Sequence, residues 1–319
     1  MLERIARNIQ LTIGVVYELV IVDNTANEYT ILSAYNEGVC RSNFPIICFT
    51  HEDVMFYTNN WGKHVLDHFQ DPGTGMIGVT GGTAQSLVPG AWWYNHYFGK
   101  GATNLLMSAT HKPMEDLYLY HNNPSDNESK CPVSIIDGLW FCIRKDLFDN
   151  ISFDEKTYGG FHLYDADISM QVGNYAKKYV VYDILIQHVW NGTIDNHYFQ
   201  ELKKFAHKWR KILPVQAEGI KNNYAHILGW HSLRELVLDM FAKGISQREI
   251  SDIIAEYKPM LEKNYSSMWF NFYFLLSRYF GYTFVNRIFL ALERMAGFKK
   301  TPGFSKTKFI QHDSASGKV

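Results

Sequence analysis

Three consecutive polar side chains, His51, Glu52 and Asp53, follow the apolar run Ile46–Phe49. Imidazole and carboxylate both bind divalent cations. In an extended chain His51 and Asp53 point to one side and Glu52 to the other. Four further places offer similar groups. Asp23 closes the apolar run Val16–Val22, and Asp137-Gly138 interrupts the apolar stretch Ser134–Ile143. Asp165 and Asp167 open a helical pattern, and His188 follows the run Tyr179–Gln187. A metal held by one or two protein groups keeps positions open for phosphate oxygens. An imidazole among the ligands tilts the choice toward Mn²⁺ over Mg²⁺. A spare carboxylate can take a proton from an attacking hydroxyl. The set suits chemistry on a diphosphate.

Each residue also has a plainer reading. Asp23 can end a strand and start a turn, and Asp167 reads as a helix cap. His188 can be an ordinary residue at a strand end, and His162 can be packed in the core. Trp92 and Trp93 either close over an acceptor or pack their own loop.

The elements that must position these groups follow from periodicity. Leu2, Ile5, Ala6 and Ile9 share one face, which predicts a helix over Met1–Gln10. Val16–Val22, Ile46–Phe49, Met76–Thr80, Ser134–Ile143 and Tyr179–Gln187 read as strands. Tyr29–Cys40, Trp61–Phe69 and the stretch with Ile168, Val172, Tyr175 and Ala176 read as helices, and residues 83–129 as a long loop. The alternation predicts an α/β domain with a mostly parallel sheet, whose ligand sites gather at the carboxyl ends of the strands. From residue 213 to 298 only helices are expected: Tyr224–Phe241, one opened by the capping box Ser246–Glu249, then Ser267–Phe280 and Phe284–Met295. The tail from Lys299 reads as disordered.

Composition narrows the classes. Over 319 residues the net charge is −1, which argues against a general nucleic-acid binder. Cys40, Cys48, Cys131 and Cys142 show no paired spacing, so reduced thiols in a cytoplasmic protein are expected. No secretory signal and no spanning helix are read. The aromatic-rich helices near the C-terminus offer a face for peripheral contact with the inner membrane surface.

Taken in order, Val-Asp-Asn (22–24), Tyr-Asn-Glu-Gly (35–38), His-Glu-Asp (51–53), Asp-Gly (137–138), Gly-Phe-His-Leu-Tyr-Asp-Ala-Asp (160–167) and Gln-His (187–188) form a pattern. Over roughly residues 1–212 it resembles the family-2-type glycosyltransferases of the GT-A fold, closest to the glycosyltransferase-like domain of bacterial capsule clusters and streptomycin-biosynthesis proteins. The resemblance implies a nucleotide-diphospho-sugar donor, a saccharide or other hydroxyl acceptor, and a divalent metal, Mn or Mg. It implies that Asp23, Asn36, His51 and Asp137 bind the nucleotide sugar, that Asp53 and His188 hold the metal, and that Asp165 is the general base of an inverting transfer. Two positions depart from the family pattern: His51 replaces the usual first aspartate, and Tyr164 stands where a glutamate is commoner. GT-A domains also begin with a central strand, whereas Met1 already lies in the helix that should follow it, so a sheet without its first strand is expected. The resulting expectation is a glycosyltransferase domain over 1–212, a helical subdomain over 213–298 and a tail over 299–319, with synthesis of surface polysaccharide or another glycoconjugate as its setting. A metal-dependent hydrolase using His51, Asp53 and His188, and an inactive sugar-binding scaffold, are the competing readings.

Overall fold

The computed structural model describes residues 1–108, 117–188, 195–221 and 224–261, positions within 272–291, and the backbone of 305–308. The helices are α1 (Leu2–Thr12), α2 (Ile31–Arg41), α3 (Trp61–His68), α4 (Tyr164–Val172), α5 (Asn196–Trp209), α6 (Ala225–Ala242) and α7 (Gln247–Leu261). The strands are β1 (Ile46–Thr50), β2 (Val54–Phe56), β3 (Thr74–Gly78), β4 (Thr80–Gly82), β5 (Ala84–Gln85), β6 (Gly101–Ser108), β7 (Leu117–Asn122), β8 (Lys130–Pro132), β9 (Ile135–Ile136), β10 (Trp140–Arg144), β11 (Lys177–Val181), β12 (Ile186–His188), β13 (Val215–Gln216) and β14 (Ser305–Lys308).

The helix starts are legible in their caps. Thr30 accepts from the Ser33 amide while Ser33 accepts from the Thr30 amide, a reciprocal cap for α2. Asp195 accepts from the Tyr198 amide to start α5, and Ser246 with Glu249 does the same for α7.

One sheet runs β1-β10-β3-β11-β8, and the other β14-β7-β6-β12-β2 with β4 beside β6 and β9 beside β4. Among the described ladders only β3–β11 and β6–β12 are parallel. The expected mostly parallel sheet is therefore corrected to a mixed, mostly antiparallel one. The cause lies between Thr80 and Arg144, where the described helical structure is a single 3₁₀ stretch, Trp92–Phe98. Parallel neighbours need a crossover of a dozen or more residues, so strands that follow one another directly pair antiparallel. The apolar runs misled because they report burial on both faces, not direction. Phe141 and Ile143 of β10 enter one core with Phe49 and Met76, while Trp140 and Cys142 enter the other with Ile5, Trp61 and Val65.

Other expectations change too. Val16–Val22 joins none of the described ladders, and Val16, Leu19 and Ile21 are exposed. An apolar run becomes a strand only where a partner backbone accepts it. The stretch expected as loop from 83 to 129 contains β6 and β7, paired from Thr103–Asn122 to Ser108–Leu117. The single strand expected over Tyr179–Gln187 breaks after Val181, so that β11 serves one sheet and β12 the other. The interruption of Ser134–Ile143 at Asp137-Gly138 is present as the turn between β9 and β10. The reduced state expected for all four cysteines is corrected for two of them. Cys48 and Cys142 face each other across the β1–β10 ladder and are disulfide-bonded, with Cα atoms 4.0 Å apart, while Cys40 and Cys131 are free.

The helices α6 and α7 form as expected, and α6 contributes Leu228, Leu233, Leu236 and Val237 to the larger core. The Tyr94 hydroxyl donates to Asp239 on α6 at 2.6 Å, and Thr83 meets Tyr224 just before it at 2.6 Å. The expected helices at 267–280 and 284–295 and the expected tail lie largely outside the described residues. Within the tail, β14 runs antiparallel to β7.

Candidate active site

The turn joining β1 to β2 crosses from one sheet to the other, and His51, Glu52 and Asp53 form it. The His51 amide donates to Leu139 O at 3.0 Å, which ties the turn to the β9–β10 connection. His51 and Asp53 are half-buried and Glu52 is exposed, as the alternation predicts. The antiparallel β12–β2 ladder sets His188 opposite Val54, beside Asp53. His188 Nε2 lies 3.4 Å from Asp53 Oδ2. His51, Asp53 and His188 each offer a ligand atom, and these atoms all lie within 4.8 Å of one another. Two imidazoles and a carboxylate suit a first-row divalent ion.

The electrostatics agree with that assignment of ligands. Burial alone would raise the Asp53 carboxyl, but the hydrogen bond and charge of His188, with the charge of His51, hold it below the ordinary range. Burial lowers the His51 imidazole, and His188 adds to this against the pull of Asp137. A lowered imidazole is a neutral one, the form that ligates metal.

The second half of the site is the turn Asp137-Gly138. The Asp137 amide donates to Thr80 O at 3.0 Å. Both its carboxylate oxygens are engaged, Oδ1 by the Leu139 amide at 3.0 Å and Oδ2 by Trp92 Nε1 at 2.9 Å. The Gly138 amide donates to Asp165 Oδ2 at 2.9 Å, and the Ala166 amide to Asp165 Oδ1 at 2.8 Å. Asp165 stands in the first turn of α4, which starts after Leu163 in the left-handed region, φ 60°. A place in the first turn favours an ionised carboxylate. Here the reverse holds: burial first, and the charge of Asp137 second, push Asp165 up to about 7, against the amide hydrogen bonds.

Tyr164, the residue before Asp165, is buried and reaches His51. Its hydroxyl is 2.6 Å from His51 Nε2, and its ring meets Tyr35 edge-on at 5.6 Å. A Cβ on residue 138 would run into that hydroxyl, so Tyr164 requires glycine there.

The structure thus brings His51, Asp53, His188, Asp137 and Asp165 into one neighbourhood. Asp23 and Asn36 take their hydrogen bonds from other residues. Asp23 is exposed and accepts from the Thr25 amide at 2.9 Å. Asn36 joins α2 to the segment after β10, donating to Phe153 O at 2.9 Å and accepting from its amide at 3.0 Å. The cap expected at Asp167 is also corrected. Asp167 caps no helix; only 1% exposed, it accepts from Tyr158, Gln171, Lys208 and Trp209 at 2.8–3.1 Å. It fastens α4 to α5. Tyr164 was not identified as a site residue from sequence alone, its departure from the family pattern being the signal; Trp92, read as either closing over an acceptor or packing its own loop, is bonded to Asp137.

Residues 2–213 match the glycosyltransferase-like family. The chain belongs to that family. It is also 25% identical over 192 residues to the streptomycin biosynthesis protein StrF of Streptomyces griseus. That match covers 58% of this chain and 61% of the relative, so the chain spans about three fifths of the relative's length. Among the described residues no helix is long and apolar enough to cross a membrane.

Proposed function

We propose that this glycosyltransferase has the GT-A arrangement and moves a sugar from a nucleotide diphosphate to a hydroxyl acceptor with inversion. The observation that carries the reading is the convergence of His51, Asp53 and His188 beside the Asp137–Asp165 pair. A Mn²⁺ or Mg²⁺ ion held by His51, Asp53 and His188 would neutralise charge on the departing diphosphate. Asp165 takes the proton of the attacking hydroxyl, its oxygens aimed by the Gly138 and Ala166 amides. Asp137 keeps Asp165 basic through its charge and holds Trp92 at the site's edge. The indole offers an apolar face against which a sugar ring can lie. Asp23 and Asn36 are assigned to the nucleotide end of the donor on the family resemblance alone.

The reading is tested by titrating a panel of nucleotide sugars into the protein with and without Mn²⁺. Binding of one of them that needs the ion, and is lost in Asp53→Ala, supports it. The same affinity without the ion, or in Asp53→Ala, removes Asp53 as the principal ligand. One observation favours a second reading: two imidazoles with one carboxylate is also a hydrolase's ligand set. Turnover of a phosphoester or amide without any nucleotide would select it.

The exposed Phe272, Phe280 and Phe284 offer apolar faces for a peripheral membrane contact. Co-sedimentation with anionic vesicles tests this contact.

A further inference from the structure

His64 and His68 stand one turn apart on α3, so their side chains lie on one face of the helix. Opposite them is Asp183, in the connection between β11 and β12. His64 Nδ1 lies 3.1 Å from Asp183 Oδ2, and His68 Nε2 lies 2.9 Å from Oδ1 and 3.1 Å from Oδ2. Both imidazoles therefore meet one carboxylate, and both come equally close to one of its oxygens. Ligand atoms on a tetrahedral Zn²⁺ ion stand about 3.3–3.5 Å apart, given bonds of about 2.0–2.2 Å. Two imidazoles and a carboxylate are a set that Zn²⁺ accepts with water in the fourth place. The backbone around the three groups is already fixed. Trp61, Val65 and Phe69 anchor α3 in its core. The Tyr57 amide donates to Leu185 O at 2.9 Å and the Leu185 amide to Thr58 Oγ1 at 2.9 Å, so the chain just before α3 holds the connection that bears Asp183. The side chain of His68 is 10% exposed, while those of His64 and Asp183 are 38% and 32% exposed. That leaves a way in from solvent and lets His64 turn so that the two imidazoles close on an ion.

We propose that His64, His68 and Asp183 form a second metal site, which takes Zn²⁺ and pins α3 to the β11–β12 connection. None of the three belongs to the group of His51, Asp53 and His188, and the proposal does not depend on that group holding an ion. Coordination needs neutral imidazole nitrogens, so binding should weaken in acid. Without the ion the same side chains pair directly, as the distances show. The pin acts at the root of β12, the strand that ends in His188.

The test is Zn²⁺ binding to the whole chain after treatment with a chelator, its stoichiometry read by calorimetry and its effect on folding by thermal melts. The background is the double variant Asp53→Ala, His188→Ala, which dismantles the first group and leaves the second complete. This background should bind one equivalent of Zn²⁺, and the ion should raise its melting temperature, as any ligand of the folded state does. Adding His64→Ala should abolish both the equivalent and the rise. That variant is the decisive one, because its half-exposed side chain can be removed with little change in the metal-free melt. Asp183→Asn, which keeps the shape of the side chain, should abolish both as well. A background that binds no Zn²⁺, or that binds it equally well after His64→Ala and Asp183→Asn, overturns the site. Binding that is lost in those variants but never moves the melt overturns the pin. If the wild type binds a single equivalent that survives in the background and disappears with His64→Ala, the first group takes no Zn²⁺ and the second site stands.

Discussion

Asp165 and Asp167 differ by two positions on one helix and do opposite work. Asp165 is buried and sits beside Asp137, so it keeps a proton up to about 7 in spite of two backbone amides that favour its charged form. A base must lose that proton first. Transfer, as kcat/KM, should therefore rise with pH through about 7 and level off above it. Asp137→Asn removes the like charge, so that limb should move to lower pH; an unmoved limb would assign it to another group. The sign for stability runs the other way, since a carboxyl raised in the fold binds its proton more tightly there and stabilises less as pH rises. Asp167 faces four donors and is closed to water. In Asp167→Asn the amide nitrogen would face two donors whichever way it turned, Lys208 and Gln171 or Tyr158 and Trp209, and the ion pair with Lys208 would be lost. Leaving a buried donor without its acceptor costs about 1–3 kcal/mol, so the variant should melt earlier than wild type. A melt within a degree or two of wild type would refute the anchoring role. The short-range part of this site was legible: His51, Asp53 and His188 at strand ends and Asp165 in the first turn of α4 do meet. The links made by Trp92 and Tyr164 span 45 and 113 positions and leave no local pattern.

Among the elements, α3 shows how a helix is fastened without a cap. His64 Nδ1 and His68 Nε2, one turn apart, reach the two oxygens of Asp183 at 3.1 and 2.9 Å. Asp183 lies between β11 and β12, so this cluster ties α3 to the strand that carries His188. Burial would raise Asp183, but the hydrogen bond from His68 and the charges of both histidines hold it below the ordinary range. A lowered carboxyl stabilises above its unfolded pKa, and that stability is lost as pH falls through the folded one. Asp183→Asn should thus lower the melting temperature near pH 6, and the gap to wild type should close as pH drops below the ordinary aspartate range. A gap that stays constant with pH would remove the charge from this account. Periodicity identified α3 well, because its apolar face points into a core. Strand direction was beyond it, since Phe141 and Trp140 are equally apolar however β10 runs.

At the scale of the whole molecule, the disulfide has a topological consequence. Cys48 and Cys142 are 94 positions apart, so the bond closes a covalent ring around β1's end, α3, Trp92 and Asp137. On the chain-entropy account, closing a ring of that size restricts the unfolded chain by about 4–5 kcal/mol. A reductant that opens it should lower the melting temperature, and Cys142→Ser should match the reduced wild type; equal melts with and without reductant would show the bond contributes nothing. Composition could not reveal the ring, because Cys48 and Cys142 become neighbours only through the β1–β10 register. The ring also divides the site by connectivity. His51, Asp53, Trp92 and Asp137 lie within it, while Asp165 and His188 lie on the strand of chain that leaves it. One cut by a protease anywhere between Cys48 and Cys142 therefore releases no fragment: the two pieces should travel as a single band on a denaturing gel and separate only once thiol is added.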